Sequence, residues 1–390
     1  MNCRRCFSET FRECCTNLAC APFFLLALAF YAFYYCWPYT TQLPYHMSVA
    51  VVDADHSPLS RRMILSMQSS PNLDVKFVTR DREEAIGAMK SEQIVSIIGI
   101  PPNFERDILA GIPSAMTLVS NGAFIVKSRS SIAGAGGILS ELATEAIAEE
   151  LMRYGAKPSS IIRAAMRAPA LIVQPMYNSI GGYLNFVVPI VFMIIFQTLM
   201  LCGSGMLFFT LFSATPAPNF LTLAIKYPFN LLSMQAAIFC ICFFWTLLIE
   251  GLIFYLHGIN SFQNVFSTIL MGITFSITIS SLGILLGLLF RSAPYVIPAV
   301  VMSSIPSVFI SGNLFPGENI PLLMRIFAWF IPSTPGSTGM VRASQAGATV
   351  FEIFPYILHL LMLAVLYLGA AFFMCYFLKH KYSYTIKIYK

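Results

Sequence analysis

Two short clusters in this chain of 390 residues hold side chains that could bind a metal ion or do redox chemistry. In the first, Cys3 and Cys6 are followed by the adjacent Cys14 and Cys15. A structural zinc site usually needs a second CxxC pair or a nearby histidine, and this segment has neither. Reduced thiols in a cytosolic arm are therefore the simpler interpretation, and a zinc site is the alternative.

The second cluster consists of Asp53, Asp55 and His56, which follow a short run of β-branched residues. Aspartate is common in turns because its side chain bonds to the neighbouring backbone. We therefore predict a solvated turn at this position, with a metal site at the two aspartates as the alternative.

Motifs for catalysis are absent from the sequence. It has no GxxxxGK(S/T) phosphate loop, so it cannot bind ATP in that manner, and it has neither a GxSxG nor an HExxH motif. Its five histidines are scattered without the spacing of metal ligands. We expect no catalytic residues, no cofactor and no metal ion.

Long apolar stretches dominate the sequence, and the helices that they form would position its polar residues. The chain is 57% hydrophobic and 11% charged, whereas soluble domains carry about 25% charged residues. A helix crosses the hydrocarbon core with about 20 apolar residues, and these stretches are too long and continuous for barrel strands. We predict a polytopic α-helical membrane protein with six transmembrane helices, at residues 18–38, 184–211, 228–249, 264–290, 294–312 and 353–378.

The flanking charges predict the orientation of these helices. With the N-terminus inside, the inner segments carry a net charge of +7 and the short outer loops −1, and Lys and Arg near helix ends favour the cytoplasm. Residues 1–17 then form a cytoplasmic arm and residues 379–390 a cytoplasmic tail. The net charge of +6 reflects this topology, so it does not predict a nucleic-acid partner. The first helix ends at Trp37 and Pro38 instead of small residues, so we expect it to be retained.

Residues 39–183 form a polar segment between the first two helices. It contains no cysteine and equal numbers of acidic and basic residues. Alternating strand and helix patterns predict an α/β extracytoplasmic domain inserted after the first helix. The predicted strands are residues 48–52, 73–78, 94–100 and 115–120, and the predicted helices are residues 58–69, 81–90, 101–110 and 124–154.

Ionisable residues are nearly absent from the apolar stretches. Glu250 and Glu352 fall at their outer ends, where they can reach water, so we interpret both as anchors at the interface. The lack of a buried carboxylate argues against coupling to protons or sodium ions. Neutral polar residues are common, and they either join helices or line a weakly polar path for an amphipathic substrate. The path residues in the second reading are Asn185, Gln197, Ser303 and Ser304.

Several local patterns resemble those of one family. Tyr177-Asn178 precedes Phe186-Val187-Val188-Pro189, Thr215-Pro216 precedes Lys226, and Arg291-Ser292 stands before the fifth apolar stretch. A Pro- and Gly-rich segment then runs from Ser311 through Phe315-Pro316, Ile320-Pro321 and Arg325 to Pro332. Over nearly the whole chain this order resembles the membrane subunits of type 2 ABC exporters, in the branch with a large extracytoplasmic domain between the first two spans.

The resemblance implies a transporter subunit that is not itself an enzyme. Two such subunits, identical or different, would form a dimer in the bacterial inner membrane, with ATP hydrolysis in a separate ATPase chain and an amphipathic, lipid-like or drug-like substrate. A periplasmic adaptor could dock on the insert. Residues 313–340 would form a re-entrant outer gate. The residues implied for ATPase coupling are Phe212, Thr215, Pro216, Phe220 and Lys226, and those for the gate are Gly312, Phe315, Pro316, Pro321, Arg325 and Gly336, with Gly312 and Gly336 as bends.

One stretch departs from the family pattern. Such subunits usually carry a charged run just before Thr-Pro, but Gly205–Ala214 has no charge. This departure favours an alternative function. The chain would then be a related membrane protein that works without an ATPase, as a secretion-accessory or phage-receptor protein.

Overall fold

A computed structural model describes residues 3–40, 45–110, 112, 114–121, 125–153, 182–214, 227, 229–290, 295–315 and 317–388 of the chain. The chain divides into two compact units. One comprises Met1–Gln42 with Pro175–Lys390 and is a helix bundle; the other is Leu43–Gln174 and contains a small sheet. We call the second unit the insert.

The chain begins with an amphipathic helix, α1 (Cys3–Thr16), followed by a π-helical turn (Pro22–Leu26) and α2 (Ala27–Tyr34). The buried side of α1 is formed by Cys6, Thr10 and Cys14, which recur every four residues. Burial raises the pKa of the Cys14 thiol well above its usual value, so the thiol stays protonated. The cysteines of α1 are free thiols, and two of them, Cys6 and Cys14, pack into the core of the bundle.

The insert alternates strands and helices in the predicted order. Its elements are β1 (Met47–Asp53), α3 (Pro58–Ser69), β2 (Leu73–Thr79), α4 (Arg82–Lys90), β3 (Ser96–Ile100), α5 (Phe104–Leu109), β4 (Thr117–Ser120) and α6 (Ile125–Arg153). The strand order is β2-β1-β3-β4, with β1 parallel to both neighbours and β4 antiparallel to β3. The predicted α/β character is confirmed.

Helices cover both faces of this sheet, which explains the continuous apolar runs in β1 and β3. On one face, Val49, Val51 and Ile98 pack against α3, α5 and α6. On the other face, Ala50 and Ile97 pack against α4. Strand residues alternate between the two faces, so each strand contributes to both cores.

The turn predicted after β1 is present and partly solvated, since Ala54 and His56 are exposed, but Asp53 at its start is buried. Asp53 is only 3% exposed; its carboxylate accepts hydrogen bonds from the N–H of Asp55 (3.0 Å) and His56 (3.1 Å) and from Ser60 Oγ (2.9 Å). Asp55 accepts two N–H bonds from the first turn of α5, at 2.9 and 3.1 Å. Both carboxylates therefore accept hydrogen bonds from groups of the protein, and the turn positions the first residues of α3 and α5.

Asp55 should make the stability of α5 depend on pH. Partial burial raises the pKa of its carboxyl, but hydrogen bonds from Ser57 and from the N–H groups of Glu105, Phe104 and Asn103 outweigh this effect and lower the pKa overall. A lowered pKa means that the stabilisation is present above the ordinary aspartate value and is lost as pH falls below about 4.

At neutral pH, Asp55→Ala should destabilise α5 by about 0.5–2 kcal/mol, the usual cost of losing a helix cap. Hydrogen exchange of residues 104–109 in the full chain measures the effect, which should shrink in acid. Asp74→Ala is the matched control, because Asp74 is part-exposed and, among the described residues, its carboxylate pairs with Lys76 two positions along β2. Equal exchange in the two variants would contradict the role given to Asp55.

The bundle continues after the insert with seven helices among the described residues. They are α7 (Tyr183–Ser213), α8 (Phe229–Leu256), α9 (Val265–Leu289), α10 (Val296–Ile310), α11 (Leu322–Trp329), α12 (Ser333–Ser344) and α13 (Val350–Ile388). A π-helical segment, Leu248–Ile253, interrupts α8. The central helix is α9, which packs against α7, α8, α12 and α13.

Four described helices are long and apolar enough to cross a membrane: α7, α8, α9 and the Val350–Phe377 part of α13. The predicted fifth span appears as α10, which has 15 residues and is therefore about 22 Å long, shorter than a hydrocarbon core of about 30 Å. The predicted first span is divided between the π-helical turn and α2. The structure thus supports a helical protein with several spans, and the number six stays a prediction.

Candidate functional site

An open-sided cavity of about 340 Å³ lies between α7, α9, α10 and the turn that joins α11 to α12. Most of its lining is apolar, which suits the hydrocarbon or aromatic part of a ligand. The lining side chains without polar groups are Leu201, Leu282, Leu286, Leu289, Phe290, Ala299, Val300, Phe330, Ile331 and Pro332.

Three polar side chains also line this cavity: Gln197, Ser303 and Ser307. Gln197 Oε1 accepts a 2.7 Å hydrogen bond from the N–H of Ser333, which ties α7 to the start of α12. The hydroxyls of Ser303 and Ser307 donate to carbonyls of their own helix, at 2.8 and 2.7 Å. Their oxygen atoms can still accept a hydrogen bond from a ligand. The cavity lining therefore combines a large apolar surface with a few neutral polar groups.

Glycines bring α7 close to the two helices that face it. A Cβ atom on Gly283 would lie 2.6 Å from Ser204 Oγ, and one on Gly287 would lie 2.4 Å from Phe208 Cδ2. Such distances leave no room for a side chain, so α7 and α9 approach as closely as small residues in membrane helices allow. Gly205 allows the same approach to Val296 at the start of α10.

The structure brings together two of the four predicted path residues, Gln197 and Ser303. Asn185 lies elsewhere, near the start of α7, where its Oδ1 accepts from the N–H of Asn260 at 3.3 Å. Its carbonyl accepts from Gln345 Nε2 at 3.0 Å, so Asn185 joins three segments of the bundle. Ser304 follows Ser303 directly but does not line the cavity.

The predicted gate segment forms one wall of the cavity. Gly312 adopts a φ of +81° in the turn after α10, which glycine tolerates better than any other residue. Pro321 precedes α11, and the Arg325 guanidinium donates to the carbonyls of Glu318 and Ile320, at 3.1 Å each. Phe315 is half exposed. Pro316 lies outside the described residues.

The expectation that Gly336 is a bend is wrong. It lies inside α12, where a Cβ atom would come within 2.4 Å of the Phe275 ring of α9. Its small size therefore serves close helix packing. The gate segment contains two helices: most of α11 is exposed, whereas α12 is largely buried and packs against α9.

Of the predicted coupling residues, the structure describes Phe212 alone; Thr215, Pro216, Phe220 and Lys226 lie outside the described residues. Phe212 is half buried at the end of α7 and contacts the ring of Phe208. The uncharged stretch Gly205–Ala214 continues α7 as helix up to Ser213, and Leu207, Phe208 and Leu211 are buried. Charged residues at those three positions would be buried in the bundle, whereas Ser213 and Ala214 are exposed, so packing explains the missing charge at the buried positions alone.

Sequence reasoning missed three residues that shape the cavity and its surroundings. Gly283 and Gly287 form a GxxxG pattern in an apolar helix, a signal for close helix contact that could have been found. Asn313 donates through Nδ2 to Ser337 Oγ at 2.8 Å and accepts from Thr338 Oγ1 at 3.0 Å. It thereby holds the turn after α10 against α12.

Comparisons with known proteins agree with this architecture. A family model described as "ABC-2 family transporter protein" matches residues 19–373. The chain is also 24% identical over 333 residues to proteins named inner membrane transport permease YhhJ from Escherichia coli (strain K12) and Shigella flexneri. These matches cover 83% of this chain and 82% of each relative. No solved structure matches the chain significantly.

Proposed function

The chain belongs to the ABC-2 transporter family, and from that premise we propose that it is the membrane subunit of an ATP-driven exporter. Its substrate would be an amphipathic, lipid-like or drug-like molecule that leaves the cytoplasm or the inner leaflet of the membrane. As a member of this family the chain is a transporter membrane subunit rather than an enzyme.

The cavity beside Gln197 and Ser303 is the observation that carries this proposal. Its apolar lining favours an acyl chain or a fused-ring body, and the few amide and hydroxyl groups suit a polar head. No lysine, arginine, aspartate or glutamate is among the lining residues that the structure describes, so recognition would not depend on a salt bridge. Movement of the α11–α12 turn, which includes Pro332, would widen the cavity.

We place the protein in the bacterial inner membrane with six spans and both termini in the cytoplasm. The YhhJ relatives are named as inner membrane permeases, and inner segments carry more positive charge than outer ones. Reporter fusions within the insert at Asp81 and after Tyr389 should then report opposite sides of the membrane. Both reporters on the same side would contradict this topology.

Two further chains complete the proposed transporter: a second permease subunit, identical or different, and an ATPase. Met302, Ile305 and Phe309 on α10 are at least 61% exposed, and lipid or a second subunit would cover them. The 212–226 loop, with Phe212, Thr215, Pro216, Phe220 and Lys226, would contact the ATPase. A periplasmic adaptor would dock on the insert.

Affinity purification of the tagged full chain from its source cell tests the ATPase partnership. Wild-type protein should recover an ABC ATPase, and Phe220→Glu should recover little of it because a carboxylate opposes desolvation at an apolar contact. Phe220→Leu keeps the apolar character and is the matched control. Equal recovery with Phe220→Glu would remove this residue from the contact.

The alternative without an ATPase makes a different prediction. The uncharged stretch before Thr215 favours it, and packing inside the bundle accounts for the missing charge only at the buried positions of that stretch. If wild-type protein recovers no ATPase, and its vesicles show no ATP-dependent uptake of a fluorescently labelled phospholipid, the secretion-accessory or phage-receptor function becomes the better conclusion.

A further inference from the structure

Glu250 is a buried acidic residue of the described bundle that the proposed transport cycle does not use. It lies in the π-helical segment of α8, and it is 1% exposed. The sequence had suggested an interfacial anchor that reaches water, and its burial shows that this interpretation is wrong. Neither carboxylate oxygen has a hydrogen-bond partner among the described residues. Single π-helical turns within α-helices are frequently found at functional sites.

The nearest polar group is the hydroxyl of Ser344, the last residue of α12. It lies beside the Glu250 carboxyl, although the pair does not meet the geometry of a good hydrogen bond. The Ser344 hydroxyl is itself buried and lacks another partner among the described residues. Two unsatisfied polar groups therefore face each other between α8 and α12, where each could satisfy the other after a small shift.

No cation is placed to neutralise an ionised Glu250 within the described residues. The helices α2, α7 and α9, which surround this part of α8, contain no charged residue and no histidine. The guanidinium of Arg342 lies over the ring of Tyr356, 5.6 Å from its centroid. His257 donates a hydrogen bond through Nδ1 to the carbonyl oxygen of Ile253, at 2.9 Å. An ionised carboxylate at position 250 would be buried without compensation, which is strongly unfavourable.

A protonated carboxyl can be buried at a lower cost in free energy, because it is neutral and its hydroxyl requires only one hydrogen-bond acceptor. We propose that Glu250 is a proton-binding site: its carboxyl carries a proton in the packed bundle and donates a hydrogen bond to the Ser344 hydroxyl. The proton leaves when the end of α12 separates from α8 and water reaches the carboxylate. This inference does not depend on the proposed substrate or on the ATPase.

Carbodiimide labelling of the full chain in detergent tests the protonated state. Dicyclohexylcarbodiimide adds to protonated carboxyls in apolar surroundings, and mass spectrometry locates the adduct. We expect an adduct on Glu250 near neutral pH, and none on Glu318 or Glu352, whose side chains reach water. A water-soluble carbodiimide should show the reverse preference. An unlabelled Glu250, or one that the water-soluble reagent labels as readily as Glu352, would overturn the proposal.

A second measurement follows the proton through unfolding. Unfolding exposes the carboxyl, which then ionises and releases its proton, so the unfolding constant of the wild type should rise by about tenfold per pH unit between about pH 5 and 7. Glu250→Gln, which is neutral and of similar shape, should lose this dependence, while Glu352→Gln should keep it. The same pH dependence in Glu250→Gln and the wild type would overturn the proposal even if that variant is less stable.

Discussion

A Ser303→Phe protein is expected to lose ATP-dependent phospholipid uptake by at least about tenfold, a change equivalent to about 1.4 kcal/mol of binding free energy. Ser303 lines the cavity beside Ser307, and its hydroxyl donates only to the carbonyl of Val300. A phenyl ring at this position would occupy the volume that the proposed substrate needs. Because Ser303 is an exposed residue of the cavity lining, the larger side chain should not disturb the core.

Ser304→Phe is the matched control for this prediction. Ser304 is the next residue of α10 and makes the equivalent hydrogen bond to the carbonyl of Val301 at 2.7 Å, but it does not line the cavity. Uptake of a fluorescently labelled phospholipid into inside-out vesicles, with ATP and with a non-hydrolysable analogue, measures both variants. Wild-type uptake by Ser303→Phe would exclude the cavity from the substrate path. Equal losses in both variants would point to α10 as a whole.

A Gly287→Ala protein is expected to be destabilised by about 1–3 kcal/mol, the usual cost of overpacking a core. The added methyl group would lie 2.4 Å from Cδ2 and 2.8 Å from Cβ of Phe208, which is fully buried. A Cβ atom next to another Cβ atom cannot be accommodated by rotating a side chain, so α7 and α9 must move apart. Thermal unfolding of the purified full chain in detergent measures the loss.

Gly369→Ala provides the control, because the same methyl group has no atom within 4 Å at that position in α13. Alanine is also a better helix former than glycine by about 1 kcal/mol in water, so this variant should be neutral or slightly more stable. The two substitutions should therefore change stability in opposite directions. If Gly287→Ala unfolds at the wild-type temperature, the close contact between α7 and α9 is not needed for stability.

Local chemistry was sufficient to predict the insert. Runs of β-branched residues such as Ile94–Ile100 predicted buried strands, and Asp81, where the second helix of the insert was predicted to begin, accepts from the N–H of Glu83 at the start of α4. The side chain of Glu84 bonds to Thr79 at the end of β2 instead of folding back onto the start of its own helix. That choice depends on where the preceding strand ends, which periodicity alone does not show.

The amino-acid sequence by itself determined that this protein is helical and apolar enough to cross a membrane several times, because lipid leaves the backbone few alternatives. It also determined the order of strands and helices in the insert, because their periods of 2.0 and 3.6 residues differ. Only the tertiary structure decided which polar residues meet. It separates Asn185 from Gln197, places Ser303 but not Ser304 at the cavity, makes Gly336 a packing residue, and buries Glu250 away from water. Each of these outcomes depends on how neighbouring helices are rotated and how closely they approach. Contacts between residues that are distant in the chain, such as Gly287 and Phe208, determine that rotation and distance.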